Sequence, residues 1–529
     1  MIMFKYNKNN IFNWFFFPYI LENLEQIIDN LPIFPELFLL SSTLLLFVYG
    51  MFRKKSVYNY NVVNEFTRLS VIILLITSFL VWVSLGLSGR LLYENLLVLD
   101  FGSSFMKLFC LIVSIICLVM SRSSLDRSRS ACFEYFILYL FVVFGVMFFI
   151  SSVDLFTMFL ALEIQSICLY ALVSLNKGSG YGVEAGIKFF VLGATSSVIL
   201  IFGISMLYGA VGSTNLFHIY NIFLYHVPNL LWNTIDAGMF CLTIFNIKLI
   251  FGVLFVFIGL FFKITIVPFH MWAPDVYEGA PIAIVIFIAT VPKIAVTFIL
   301  CKLVGFFFSY IYFIWKPLFI TAGLLSVVIG TLMAVRQFKI KRFIAYSSIT
   351  HMGYMLLFMS AFTFISLQYC ICYLFVYIFT ILTLWGILLI LENNFGKSLD
   401  SFYDWGGICY TERYLSIILL VTLLSLGGLP PFSGFFGKYL FFKSLLFSDM
   451  YIIALFLILF SLLSIYYYVK IVKIIFFDSK KKFLIQKRKI DFSLSLLVNL
   501  FVIVILFFFH FDVVWSLSEK IIWSIYVVI

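Results

Sequence analysis

The sequence predicts an all-α polytopic membrane protein of about fourteen transmembrane helices, with two inverted five-helix repeats that each contain a broken helix. Three observations lead there. Of the 529 residues, 64% are hydrophobic and only 11% are charged, with a mean hydropathy of +1.14; a water-facing surface needs far more charge. Apolar runs of membrane-crossing length follow one another along the chain. Two of these runs, each bearing a lysine, are interrupted by proline.

The first thirty residues are aromatic and then amphipathic, with acids at Glu22, Glu25 and Asp29. They lack the basic start and small-residue cleavage site of a removed signal peptide. Runs near the roughly twenty residues that a bilayer requires then lie at Leu37–Phe52, Leu69–Leu87, Phe105–Ser121, Cys132–Ile150, Val153–Leu175 and Phe189–Ala210. After a long connection come Leu249–Val267, Ile282–Cys301, Phe308–Val335, Phe343–Phe362, Ser366–Leu391, Tyr414–Phe447, Tyr451–Phe477 and Phe492–His510. Leu216–Trp232, broken by Pro228, is not expected to cross. The chain therefore divides into 1–131 (amphipathic start and spans one to three), 132–302 (first repeat, spans four to eight), 303–478 (second repeat, spans nine to thirteen) and 479–529 (basic loop and last span).

Basic residues test this count, because they collect in short loops on one side of a membrane. Loops after odd-numbered spans hold Arg53, Lys54, Lys55, Arg68, Arg122, Arg127, Arg129, Lys177, Arg336, Lys339, Lys341, Arg342, Lys397, Arg413 and six more between Lys480 and Lys489. The other side holds Lys5, Lys8, Arg90, Lys248, Lys302, Lys316 and Lys520. A missed span would scramble the asymmetry from that point on. The basic side is read as the matrix or cytoplasm, with both termini opposite. The net charge of +11 thus reports topology and anionic lipid headgroups rather than nucleic acid.

Charges inside the spans carry the functional signal. Lys263 precedes Pro268, which has no amide hydrogen and crowds the carbonyl four residues back, so the helix breaks just after the charge. Such a lysine either snorkels to the interface or lines an ion pathway. Glu163 and Lys293 lie at the middle of the fifth and eighth spans, where an ionised group costs about 2.5–3.5 kcal/mol and needs a partner or water. The twelfth segment is too long for one straight crossing and is interrupted by Gly427, Gly428, Pro430 and Pro431 ahead of Lys438. Paired broken helices are the mark of an inverted repeat with half-channels meeting at the midplane. Lys188, near the basic end of its helix, and His351, at the start of the tenth span, are candidate relays.

Nine cysteines, at 110, 117, 132, 168, 241, 301, 370, 372 and 409, show no spacing suited to zinc or an iron–sulfur cluster. There is no glycine-rich nucleotide motif either. No redox centre, metal or cofactor is expected in this chain. The 68 Phe and 30 Tyr fit an AT-rich genome, organellar genomes included.

Five motifs occur together in one order: LALEIQSICLYAL around Glu163, FFKITIVPFHMWAPDVYEGAP around Lys263, ATVPKIA around Lys293, IKRFIAYSSITHMGY around His351, and LSLGGLPPFSGFFGKY around Lys438. In these the chain resembles the antiporter-like membrane subunits of respiratory complex I (NADH:ubiquinone oxidoreductase), over roughly Leu37 to Ile475. It is most similar to the subunit 2 group, since the subunit 4 group usually has glutamate at the position of Lys438 and subunit 5 carries a lateral helix for which there is no room here. Unlike the shortened animal form, this chain keeps three extra spans at its start. The resemblance implies that Glu163 pairs with Lys263, that Lys293 passes a proton inward and that Lys438 faces the exit. It also implies that NADH, FMN, iron–sulfur clusters and ubiquinone are handled by other subunits. The implied partners are the subunit 4 neighbour, small subunits toward the quinone site and membrane lipids, with the mitochondrial inner membrane as the location. Pro292 and the long connection from Leu216 to Ile247 depart from the family pattern. Read without the resemblance, the residues point to a proton or cation translocator, against a free-standing or Mrp-type cation/proton antiporter subunit and a non-transporting scaffold.

The topology has a direct check. A cysteine introduced at Ser479 is expected to react with an impermeant reagent only from the basic side, and one at Ser516 only from the other. Labelling of both from one side would refute the span count.

Overall fold

A computed structural model describes residues 33–52, 60–85, 89–128, 133–176, 178–232, 239–395, 400–477 and 511–527. The amphipathic start, the Lys480–Lys489 run and the expected fourteenth span lie outside these residues. Among the described residues, ten helices are long and apolar enough to cross a membrane. We number the elements α1 (Phe34–Phe52), α2 (Tyr60–Ser84), β1 (Arg90–Leu92), β2 (Leu97–Leu99), α3 (Phe101–Ser128), α4 (Phe133–Ser151), α5 (Leu155–Val173), α6 (Gly180–Val211) and α7 (Leu216–Trp232). Then come α8 (Met239–Lys263), α9 (Trp272–Gly279), α10 (Ile282–Lys302), α11 (Tyr312–Arg336), α12 (Ile340–Ser360), α13 (Phe364–Phe395), α14 (Arg413–Gly427), α15 (Ser433–Phe447), α16 (Tyr451–Phe477) and α17 (Phe511–Val527).

Several helices start well before the apolar runs that signalled them. α2 begins at Tyr60, α6 at Gly180 and α8 at Met239. Hydropathy marks only the lipid-immersed part of a helix, whereas backbone hydrogen bonding carries the coil on through polar turns. α17 had no counterpart in the expected spans, because its 17 residues are amphipathic rather than uniformly apolar. It packs across α13 and α3, where Ser524 Oγ accepts from the Gly102 amide at 2.8 Å and Ser518 Oγ meets Cys372 Sγ at 3.1 Å.

The packing order follows from which helices are apolar all round. Every residue of α10 is buried, and nearly all of α13 is too; a helix with no polar face belongs at the centre. These two central helices touch, one from each half of the chain. α4 packs on α5 as α11 packs on α12, and α6 packs on α8 as α13 packs on α14 and α15.

Two backbone bridges sharpen this parallel. The loop before α5 meets the loop after α6 at Asp154 and Asn215; the loop before α12 meets the loop after α13 at Lys339 and Ser401, both antiparallel. Leu155 N–H donates to Thr214 O and Leu216 N–H to Val153 O, each at 3.0 Å. In the same pattern Ile340 N–H donates to Asp400 O at 3.0 Å and Phe402 N–H to Phe338 O at 3.2 Å. Asp154 also caps α5, accepting from the Phe156 and Thr157 amides at 3.1 and 3.0 Å, which occupies donors that the first turn leaves unpaired.

The N-terminal helices are attached by charge as well as by packing. Lys107 in α3 reaches Glu36 in α1 at 2.6 Å, and Lys302 at the end of α10 reaches Asp100 at 3.0 Å. No side chain of the four is more than 5% exposed. Lys302 is therefore an internal ion-pair partner and not the loop charge that counting at run boundaries made it, because α10 extends to it and closes on α3. The hairpin residues Leu92, Leu97 and Leu99 form an apolar cluster with Ile33 beside these pairs.

Removing one partner of a buried pair leaves an uncompensated charge, at a cost of about 3–5 kcal/mol, while replacing both with apolar groups can be neutral. Lys107→Met should accordingly lower the thermal unfolding midpoint of the purified protein, and Lys107→Met combined with Glu36→Leu should recover most of the loss. Equal midpoints for parent and single variant would contradict this account.

Candidate functional site

The first break is built around the end of α8. Thr265 takes a left-handed conformation at φ 65°, rare for a β-branched residue and a source of local strain. Pro268 lies in the gap before α9 and brings no donor of its own. Ile266 N–H returns to Phe261 O at 3.1 Å, and the Trp272 indole donates to Phe262 O at 3.0 Å. Carbonyls stranded by the break are thus taken up inside the protein, as hydrocarbon surroundings require. Lys263 is the last residue of α8, where the negative end of the helix dipole favours an ammonium.

Around Lys263 the partners are aromatic and hydroxylic. Its Nζ lies 3.5 Å from the Tyr170 hydroxyl and 5.9 and 6.0 Å from the centres of the Tyr170 and Phe262 rings, within reach of a cation–π attraction. Glu163 sits two turns before Tyr170 on α5, with Oε2 3.5 Å from Ser166 Oγ. Among the described residues Glu163 and Lys263 make no direct ion pair. The resemblance put them together; in this conformation they share a neighbourhood with Ser166 and Tyr170.

Lys293 lies midway along α10, 1% exposed, and the helix runs on through Pro292. Its Nζ donates to Ser348 Oγ on α12 at 3.2 Å and lies 5.9 Å from the Tyr277 ring centre. One turn beyond Ser348, His351 is buried between hydroxyls, with Nδ1 2.6 Å from Tyr373 on α13 and Nε2 3.4 Å from Tyr468 on α16.

The second break separates α14 from α15. Gly427 ends α14 and Gly428 follows at φ +79°, a left-handed cap that glycine adopts without a Cβ penalty. Pro430 and Pro431 occupy the gap. Lys438 is buried; it donates to Gly427 O at 2.6 Å and to Ser464 Oγ on α16 at 2.9 Å. Both break lysines thus sit at the carbonyl end of a half-helix, Lys263 within it and Lys438 reaching back to it.

Lys188 lies apart from this row. It is 45% exposed and pairs with Glu184 at 2.8 Å and Asp275 at 3.0 Å. Asp275 also takes Arg342 at 3.1 Å, and Glu278 takes both Lys339 and Arg342, so this charge network ties α6, α9 and α12 together at one surface. Among the described residues no group of three or more His, Cys, Asp or Glu is assembled for a metal.

Sequence reasoning found the charges and missed the hydroxyls that join them: Tyr170, Ser348, Tyr373, Ser464 and Tyr468. A signal exists in hindsight. Ser166 and Tyr170 follow Glu163, and Ser461, Ser464 and Tyr468 recur, at the three- and four-residue spacing that stacks side chains on one helix face.

Residues 152–464 match the model of the membrane family described as NADH:quinone oxidoreductase/Mrp antiporter, a stretch that contains both breaks, Glu163, Lys263, Lys293 and Lys438. The chain belongs to that family. Among its relatives, a NADH-ubiquinone oxidoreductase chain 2 from Marchantia polymorpha is 36% identical, over 91% of this chain and 95% of the relative. A NADH-quinone oxidoreductase subunit N from Pelagibacter ubique is also 36% identical, over 91% and 97%. A chain of respiratory complex I from Thermus thermophilus superposes with a TM-score of 0.71 at 25% identity, over 91% of this chain and 98% of that one. A chain of the Mrp complex from Dietzia shares the fold, at a TM-score of 0.79 and 18% identity over 94% and 97%.

The glycines at the second break differ in what they tolerate. A Cβ on Gly434 would lie 1.7 Å from Ser425 O, whereas one on Gly427 would meet nothing closer than 3.7 Å. Since backbone cannot yield as a side chain can, and overpacking already costs about 1–3 kcal/mol, Gly434→Ala should abolish accumulation of assembled protein. Gly427→Ala should assemble normally. Equal yields of the two, measured by quantitative blotting of the membrane, would refute the close approach of α14 and α15.

Proposed function

We propose that the chain acts as the proton-translocating subunit 2 of a respiratory NADH:quinone oxidoreductase, moving protons through Glu163, Lys263, Lys293, His351 and Lys438. The carrying observation is the row itself: charges on α5, α8, α10 and α15, half-buried at Glu163 and Lys263 and buried at Lys293 and Lys438, each beside a hydroxyl, with Lys263 at one broken helix and Lys438 at the other. Burying so many ionisable groups in a membrane costs free energy that a scaffold has no need to spend.

The chemistry follows from what each group can hold. A lysine in low-dielectric surroundings can release its proton near neutrality, and a hydroxyl donates and accepts at once. Lys293 with Ser348, His351 between Tyr373 and Tyr468, and Lys438 with Ser464 are therefore donor and acceptor positions in alternation. Gly427 O and Ser464 Oγ hold Lys438, and Tyr170 stands between Glu163 on its own helix and Lys263 on α8. Lys188 belongs to the surface charge network, where it would act at the basic mouth.

The matched bridges support reading 132–302 and 303–478 as two repeats. Because Asp154 follows span four and Lys339 follows span nine, alternation puts the bridges on opposite sides, as inversion demands. In that register Ser348, nine residues beyond Lys339, holds the place that Glu163 holds beyond Asp154. The fourteen-span count, with basic loops in the matrix, extends this reading to the undescribed segments. Ubiquinone in the name of the Marchantia relative and the Phe- and Tyr-rich composition support the mitochondrial inner membrane. NADH, FMN, iron–sulfur and quinone chemistry then belong to other subunits of the complex, among them the subunit 4 neighbour and the small subunits toward the quinone site.

The test uses two lysines of one helix. Lys438→Arg should assemble yet transport poorly, by about tenfold or more, because arginine keeps its proton. Lys443→Arg should remain near normal, since Lys443 is only part-buried and lies over the Phe447 ring. The measurement is quinone-linked proton uptake into vesicles, normalised to assembled complex, with and without sodium. Parent-level uptake by Lys438→Arg would refute a proton-carrying lysine, and transport that requires sodium would favour an antiporter subunit.

A further inference from the structure

Tyr377 is not used by the route above. Its side chain is buried at 2% exposure on the central helix α13, and its hydroxyl meets no hydrogen-bond partner. A buried, unsatisfied hydroxyl costs about 1–3 kcal/mol, so its retention in a tightly packed core calls for an occupant. The surroundings are not apolar. Its ring centre is 5.3 Å from that of His351, and Ser348, which accepts from Lys293, lies beside its hydroxyl.

A small cavity opens at this point, bounded by Tyr377, His351, Tyr373, Ser425, Gly434 and Lys438. About 10 Å³ of it is open to the centre of a water molecule, close to the lower bound for holding one water. Polar partners are also in place. Lys438 spends two N–H bonds, on Gly427 O and Ser464 Oγ, and an ammonium has a third. A water in the cavity would accept that bond and pair with the Tyr377 hydroxyl, satisfying two buried groups at once.

We propose that this cavity is a single-water site and that Tyr377, with its water, carries the proton between Lys293 and Lys438. The inference rests on the transport function proposed above and assigns a particular path within it. The Ser348 hydroxyl, which rests on Ala345 O at 2.7 Å, turns toward Tyr377; Lys293 then gives a proton to Ser348 Oγ as the Ser348 hydroxyl proton passes to the Tyr377 oxygen. The Tyr377 proton passes to the water, and a water proton passes to the neutral Lys438 amine. Every O–H or N–H bond broken is matched by one formed, the water and both hydroxyls are regenerated, and no electrons are exchanged. His351 and Tyr373 line the same cavity, and Tyr468 lies on the far side of His351.

The experiment compares Tyr377→Phe with Tyr354→Phe in the complete, assembled complex. Phenylalanine keeps each ring and removes only the hydroxyl, so packing is preserved. Tyr377→Phe should lower quinone-linked proton uptake about tenfold and remove an ordered water peak beside Lys438 in a high-resolution cryo-electron map, while Tyr354→Phe, at a buried tyrosine outside the cavity, should leave both near the parent. The proposal is overturned if Tyr377→Phe transports like the parent, if the parent map has no water there, or if Tyr354→Phe reduces uptake as much as Tyr377→Phe does. Should Lys438→Arg still impair transport in any of those cases, the function stands and only this path falls. Parent-level transport by both Lys438→Arg and Tyr377→Phe would remove the function as well.

Discussion

A backbone carbonyl or amide stranded in hydrocarbon must be satisfied by the protein itself, and the rest of this structure depends on how that constraint is met at two places. Where α8 and α14 stop inside the membrane domain, their last carbonyls are taken by the Trp272 indole and by the Lys438 ammonium. The second solution uses a charged side chain. A lysine that caps a helix end is held in place by a fixed carbonyl. Removing the break would remove both the need for the lysine and the means of stabilising it.

From this constraint the packing follows. A broken helix is supported only if intact ones enclose it, and the buried α10 and α13 supply that enclosure, one from each half. Helix α10 also carries Lys293, so the element that closes the first break presents a charge toward α12 and the second half. Glycine appears where backbone meets backbone: α14 and α15 approach at Ser425 and Gly434 closely enough that no Cβ fits. The charges are thus spaced by helix packing, and the spaces between them are filled by serine and tyrosine hydroxyls.

Outside this membrane core the chain uses charge differently. Lys107 with Glu36 and Lys302 with Asp100 join α1, α3 and α10 in closed pairs. The network of Lys188, Asp275, Glu278, Lys339 and Arg342 fastens α9 to both its neighbours at the surface. Paired charges of this kind hold parts together. The lysines of the central row are set against hydroxyls and a carbonyl instead of carboxylates.

The sequence by itself determined the class of the protein, the order of its spans and the position of both breaks, because hydropathy and proline act locally and leave their mark in consecutive residues. Glu163, Lys263, Lys293 and Lys438 were legible for the same reason: a charge in an apolar run is costly wherever the run ends up. Tertiary structure alone decided what each charge faces. It put Lys188 and Lys302, alike in sequence as helix-end lysines, into an exposed network and a sealed pair. It brought Ser348 to Lys293 and Ser464 to Lys438 across 55 and 26 residues of chain, and it set Tyr170 and Ser166 beside both Glu163 and Lys263. Such partners are ordinary residues with no local signature, and their role exists only once helices distant in sequence are packed side by side.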